Sequence, residues 1–99
     1  MNARSLESLA LMLPAAVIAA LEEVCARHGS TLRSTLARDR TPRVVRARHA
    51  AWAYLRGLLE EHSGLPIYSH SDICKMWVVD HTTVISGVKA HEARGKHRS

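Results

Sequence analysis

Six apolar residues between positions 44 and 58 constrain this chain more than any other feature. Val44, Ala47, Ala51, Tyr54, Leu55 and Leu58 recur at steps of three and four, which places them on one face of a helix. Thr41-Pro42 precedes the stripe, with Thr41 as cap and Pro42 at the first helical position, where its missing N–H is no loss. Trp52 and Leu59 flank the stripe, and the pattern runs to about His62-Ser63-Gly64. The spacing therefore predicts a long central core helix. Composition agrees with helical packing: apolar residues are 46% and aromatics 4%, with no Phe, so Ala and Leu supply most of the core. At 99 residues there is room for one small domain. A chain this short buries roughly 60–65% of its unfolded surface.

The remaining elements are shorter. Leu6, Leu9 and Leu13 form one side of a short N-terminal helix with Ser5 as cap. Pro14 fits the first turn of a second helix, where Val17, Ile18, Leu21, Val24 and Cys25 make a stripe that runs to His28. Gly29 is a stop, Ser30 or Thr31 a new cap, and Thr31 to Leu36 a small helix. Ser69-His70-Ser71-Asp72 matches a capping box and opens about two turns that point Ile73, Met76 and Trp77 inward. Val78-Val79 then turn the chain. Asp80 is expected to cap a final helix, with Val84, Ile85 and Val88 facing inward. That helix is expected to fade past Glu92. The expected fold is an all-α domain of five to six helices with a helix-turn-helix near the C-terminus. The divisions are 1–13 as an extension or short helix, 14–92 as the domain, and 93–99 as a basic tail. No internal repeat is present.

Charge narrows the partners. The net charge is +5 and the isoelectric point about 9.9, which favours a polyanion. Arg33, Arg38, Arg40, Arg43, Arg46 and Arg48 crowd into sixteen residues against one acid, Asp39. The longest apolar stretch, Leu9 to Leu21, is interrupted by Pro14 and followed by Glu22-Glu23, too short and weak for a membrane span. Arg4 and the alanines resemble a secretory signal only faintly, because Glu7 intervenes. The two cysteines are isolated, which points to a reduced, cytoplasmic setting. Cys25 and His28 are three apart but lack a second ligand pair, so no metal is expected. No convergent catalytic set stands out, so neither an enzyme nor a cofactor is expected.

The helix opened by Asp80 would expose His81, Thr82 and Thr83 on its first turn. A polar first turn that follows another short helix is the outline of a helix-turn-helix reader of DNA. Asp80-His81-Thr82-Thr83-Val84-Ile85 resembles the signature of the DNA-binding domain of DnaA, the bacterial chromosomal replication initiator. Val44 to Ala51, with Arg46 and Arg48, resembles the basic start of that family's long helix. The likeness covers about residues 15–92.

The resemblance implies an all-helical domain that binds duplex DNA in both grooves. Asp80, His81, Thr82 and Thr83 would approach base edges and phosphates in the major groove. Arg40 falls where the family inserts an arginine into the minor groove. Arg48 and His49 fall at phosphate-contacting positions, the second more often Gln. Ser71 falls near the start of the first motif helix, where the backbone meets phosphate. Arg43 and Lys89 are further phosphate candidates by their charge. This chain departs from the family at Val78, where Gly is usual. A β-branched residue disfavours positive φ, so either the turn differs or its residues stay in ordinary regions. An insertion around Glu61 to Ser69 lengthens the connector. No G-x-x-x-x-G-K-[ST] loop is present, so the chain is expected to be an excised domain or a stand-alone relative. The expected function is sequence-specific duplex binding in replication-origin or transcription control, in a nucleoid-associated protein. The alternative is a protein-interaction module whose helices between Leu6 and Val24 pair with a second copy or with a replication protein.

Overall fold

A computed structural model of the chain describes residues 5–96. These form six helices: α1 (Leu6–Met12), α2 (Ala15–Arg27), α3 (Leu32–Leu36), α4 (Pro42–Arg56), α5 (His70–Trp77) and α6 (His81–Lys96). Among the described residues there is no strand, only one isolated antiparallel bridge between Leu59 and Pro66. The protein is all-α.

α4 is the central helix. It packs against α2, α3, α5 and α6. Ala47, Ala51 and Leu55 are fully buried, so the stripe read from the sequence is the face that meets the other helices. Its small residues let neighbouring backbones come close. Gly87 does the same from α6: a Cβ there would lie 2.7 Å from His49 Cδ2 and from Trp52 Cε3 and Cζ3. Trp52 also meets Trp77 edge to face, with ring centroids 6.3 Å apart. The Trp77 indole N–H donates to Thr35 Oγ1 at 3.2 Å, and Thr35 Oγ1 donates to the Leu32 carbonyl at 2.7 Å. This buried chain of bonds ties α5 to α3.

Local signals set most of the helix ends. Ser5 accepts from Ser8 N, and Thr31 from Ser34 N. Ser69 and Asp72 form the reciprocal capping box at α5. Gly29, at φ +70°, stops α2.

Five expectations are corrected. α4 ends at Arg56 with Gly57 as its cap, not near residues 62–64. The chain then closes a small hairpin, in which Glu60 N donates to Leu65 O at 2.7 Å and Ile67 N to Leu58 O at 2.9 Å. Leu58 thus packs on the core from the hairpin, while Leu59 is exposed. Pro14 caps α2 from outside the helix. Thr41 caps α4 without a side-chain bond; its N–H donates instead to Asp39 Oδ1 at 2.8 Å. Val78 itself takes the left-handed conformation, φ 56° and ψ 58°, so the turn holds a β-branched residue outside the ordinary regions. α6 continues past Glu92 to Lys96, because Arg94 packs back on α4. Residues 97–99 of the expected tail, and 1–4, lie outside the described residues.

Candidate nucleic-acid interface

The arginine loop and the start of α6 converge on one groove. Arg38, Asp39 and Arg40, from the loop after α3, line one wall. Val45, Arg48, His49 and Trp52 of α4 form the floor, and Val78, Val79, Asp80 and Thr83 the opposite wall. His81 and Thr82 are exposed on the same first turn of α6. The first intrahelical bond there runs from Val84 N to Asp80 O at 3.2 Å. Among the described residues no N–H donates to the Asp80 carboxylate, so the expected side-chain cap is not made there and the exposed carboxylate lines the groove. The free N–H groups of a helix start and their partial positive charge suit an anion.

Arg48 has a different task from the one expected. Its Nε donates to Thr35 O at 2.7 Å, and its Nη2 to Ala37 O and Asp39 O, both at 2.9 Å. One carbonyl of α3 and two of the arginine loop are thereby tied to α4 through one guanidinium. The geometry suits this, because the planar fork offers several donors in fixed directions. Arg48 holds the loop that presents Arg38 and Arg40. Asp39 faces Thr41, whose hydroxyl and then backbone N–H hold its carboxyl below the usual range, with Arg48 adding to the effect.

His49 is half-buried between α4 and α6. Its Nδ1 lies 3.2 Å from Arg94 Nη2, and its ring leans on Trp52 with centroids 5.7 Å apart. Burial, with Arg94, Arg48 and His91 nearby, pushes its pKa down to about 4. It is therefore neutral at ordinary pH and cannot serve as the cationic phosphate contact a bare reading of charge suggests.

Comparison with protein families, curated proteins and solved structures gave no match to this chain. The site therefore stands on its own geometry. A second depression, in the angle between α5 and α6, is lined by Ser71, Cys74, Lys75, Asp80 and His81. It brings Ser71 together with the first turn of α6. Lys89 lies apart, in a hollow behind α6 with Arg56, His70 and Glu92. Arg43 also lies apart; its stem passes beside Gly29, whose added Cβ would sit 3.1 Å from Arg43 Cδ. Arg56 donates to Tyr68 O at 3.0 Å.

Sequence reasoning missed three residues here. Lys75 lies beside His81, and Arg38 lines the groove with Arg40. Arg94 was assigned to the tail, yet its spacing of seven from Gly87 marks the helix face that meets α4. Among the described residues no three His, Cys, Asp or Glu side chains gather as a metal site. Cys25 is buried, which pushes its thiol up to about 11. No helix among the described residues is long and apolar enough to cross a membrane.

Proposed function

We propose that this chain is a sequence-specific double-stranded DNA-binding module. The first turn of α6 enters the major groove while the arginine loop enters the neighbouring minor groove. The observation that carries this reading is that Arg40 and the start of α6 line one groove, with His81 and Thr82 exposed beside it. Each contact has a physical reason. The Thr82 methyl fits a thymine C5-methyl, and its hydroxyl bonds either way. The open Asp80 carboxylate accepts from the amino group of cytosine or adenine. His81 donates or accepts at a base edge according to its tautomer. Thr83 and the free N–H groups of the helix start hold a phosphate. Arg40 reads the narrow, strongly negative minor groove of an A·T-rich segment. Ser71 and Lys75 meet the backbone on the α5 side. The proposal includes kinship with the DNA-binding domain of DnaA and a role in replication-origin or transcription control.

Fluorescence anisotropy with a duplex carrying an initiator-type box, against a scrambled duplex, tests this. The expected result is tighter binding to the box at physiological salt. Equal affinities remove the specificity. Thr82→Ala and His81→Ala should each flatten the preference among sequences by about 1–3 kcal/mol while the fold survives. Arg40→Ala should weaken binding with less effect on that preference.

One observation favours the second reading, a protein-interaction surface. Leu11 is 89% exposed and Met12 45%, at the corner between α1 and α2. Sedimentation at high protein concentration separates the two: a monomer throughout removes self-association.

A further inference from the structure

The two nitrogens of His49 have different surroundings, and this fixes where its proton sits. Nδ1 faces Arg94 Nη2 at 3.2 Å. A guanidinium stays protonated and has only donors, so Nδ1 must accept. The neutral ring then carries its proton on Nε2. Nε2 has no hydrogen-bond partner among the described residues, and it is not among their buried unpartnered atoms. It belongs to a half-buried ring that lines the groove with Arg40, Asp80 and Thr83. The ring is held on its other edge by Gly87, since even one added carbon there would lie 2.7 Å from His49 Cδ2.

We propose that Arg94 is a positioning residue: it locks His49 as a neutral Nε2–H donor aimed at an acceptor oxygen of the DNA backbone. This deepens the DNA-binding reading above and rests on it. Every charged or titratable group facing the ring acts in the same direction. Arg94 and His91 from α6, and Arg48 from α4, all oppose a second positive charge on His49, and burial does so most strongly. His49 therefore contributes a directed hydrogen bond and releases no counterion. A lysine-like contact would do the reverse.

The test uses the full chain. Long-range ¹⁵N–¹H spectra of the free protein should show the Nε2–H tautomer of His49 across pH 5.5–8. Arg94→Met should yield a mixture of tautomers and move the titration of His49 up toward the ordinary histidine range. In duplex binding, His49→Gln keeps a donor and should stay within about threefold of wild type. His49→Leu and Arg94→Met should each lose about tenfold, with the slope of log K against log salt unchanged. Adding Arg94→Met to His49→Gln should cost nothing further. An Nδ1–H tautomer in the wild type overturns the proposal, as does an Arg94→Met spectrum identical to wild type. So does a His49→Leu slope shallower by about 0.9, the mark of a lost charge contact. If the wild-type chain binds no duplex, the DNA reading fails and the proposed acceptor with it. The free-protein spectra still decide whether Arg94 sets the tautomer.

Discussion

Single residues carry two effects that a helix diagram would not show. Val78 holds a left-handed conformation, φ 56°, with a branched Cβ. That conformation costs an L-residue roughly 1–2 kcal/mol, while glycine gives back part of the gain through its freedom in the unfolded chain. Val78→Gly should therefore stabilise the fold by about 0.5–1 kcal/mol, read as a higher urea midpoint at unchanged slope. His49 gives the fold a pH dependence. In the unfolded chain it titrates near 6.5, in the fold near 4, because burial and Arg94 oppose its charge. Between those values the unfolded chain holds the extra proton. Stability is then fully present above about pH 6.5 and falls as the pH drops toward 4. Denaturation at pH 7 and pH 5 should show wild type losing on the order of 1 kcal/mol more than His49→Gln, allowing for screening of a part-buried ring.

At the scale of elements, two contacts set the geometry of the groove. The first is the close approach of α6 to α4 at Gly87. Gly87→Ala would place a carbon against the backbone-anchored rings of His49 and Trp52, each atom 2.7 Å away. Trp52 is 1% exposed and has nowhere to retreat. The substitution should cost about 1–3 kcal/mol in spite of alanine's better helix propensity, and calorimetry would show a lower melting temperature. The second contact is the Arg48 tie to the carbonyls of Thr35, Ala37 and Asp39. Arg48→Met keeps the stem and removes the donors. Amide exchange in residues 37–40 should quicken, and stability should fall by roughly 1.5–3 kcal/mol, the usual range for a hydrogen bond to a charged group. Exchange rates equal to wild type would show that the loop is held by something else.

For the whole molecule, the proposed contacts divide into charged and neutral ones. Arg38, Arg40, Lys75 and one or two outlying cations such as Arg43 remain for phosphate, while Arg48 and His49 drop out of that group. Log affinity for duplex DNA should then fall with log salt at a slope of about −4. A slope near zero would mean that the net charge of +5 plays no part in binding. The hairpin at residues 58–67 sits past the C-terminal end of α4, fifteen helical residues from the arginine loop at its start. That is about 22 Å along the axis. The arginine loop and the hairpin thus lie at opposite ends of the central helix.

The helices and most of their caps were legible in the sequence because they depend on neighbours a few positions apart. The α4 stripe, the Ser69–Asp72 box, Thr31 and Gly29 each act within one or two turns of chain. The end of α4 was misread because Leu58 and Leu59 continue the stripe, whereas their pairing with Ile67 and Pro66 folds them into a hairpin that helical periodicity does not register. Asp80, Thr83 and Arg40 could be nominated from type and spacing, but their sharing of one groove is a property of how α3, α4 and α6 cross. The roles of Arg48 and His49 were decided by tertiary structure alone. Arginine reads as charge in a sequence, yet here its donors meet three carbonyls between nine and thirteen residues away. His49 reads as a titrating side chain, yet burial, together with an arginine forty-five positions later, holds it neutral. Local sequence set where the backbone coils. Which polar atoms remain open to a ligand depended on the partners that folding brought to them.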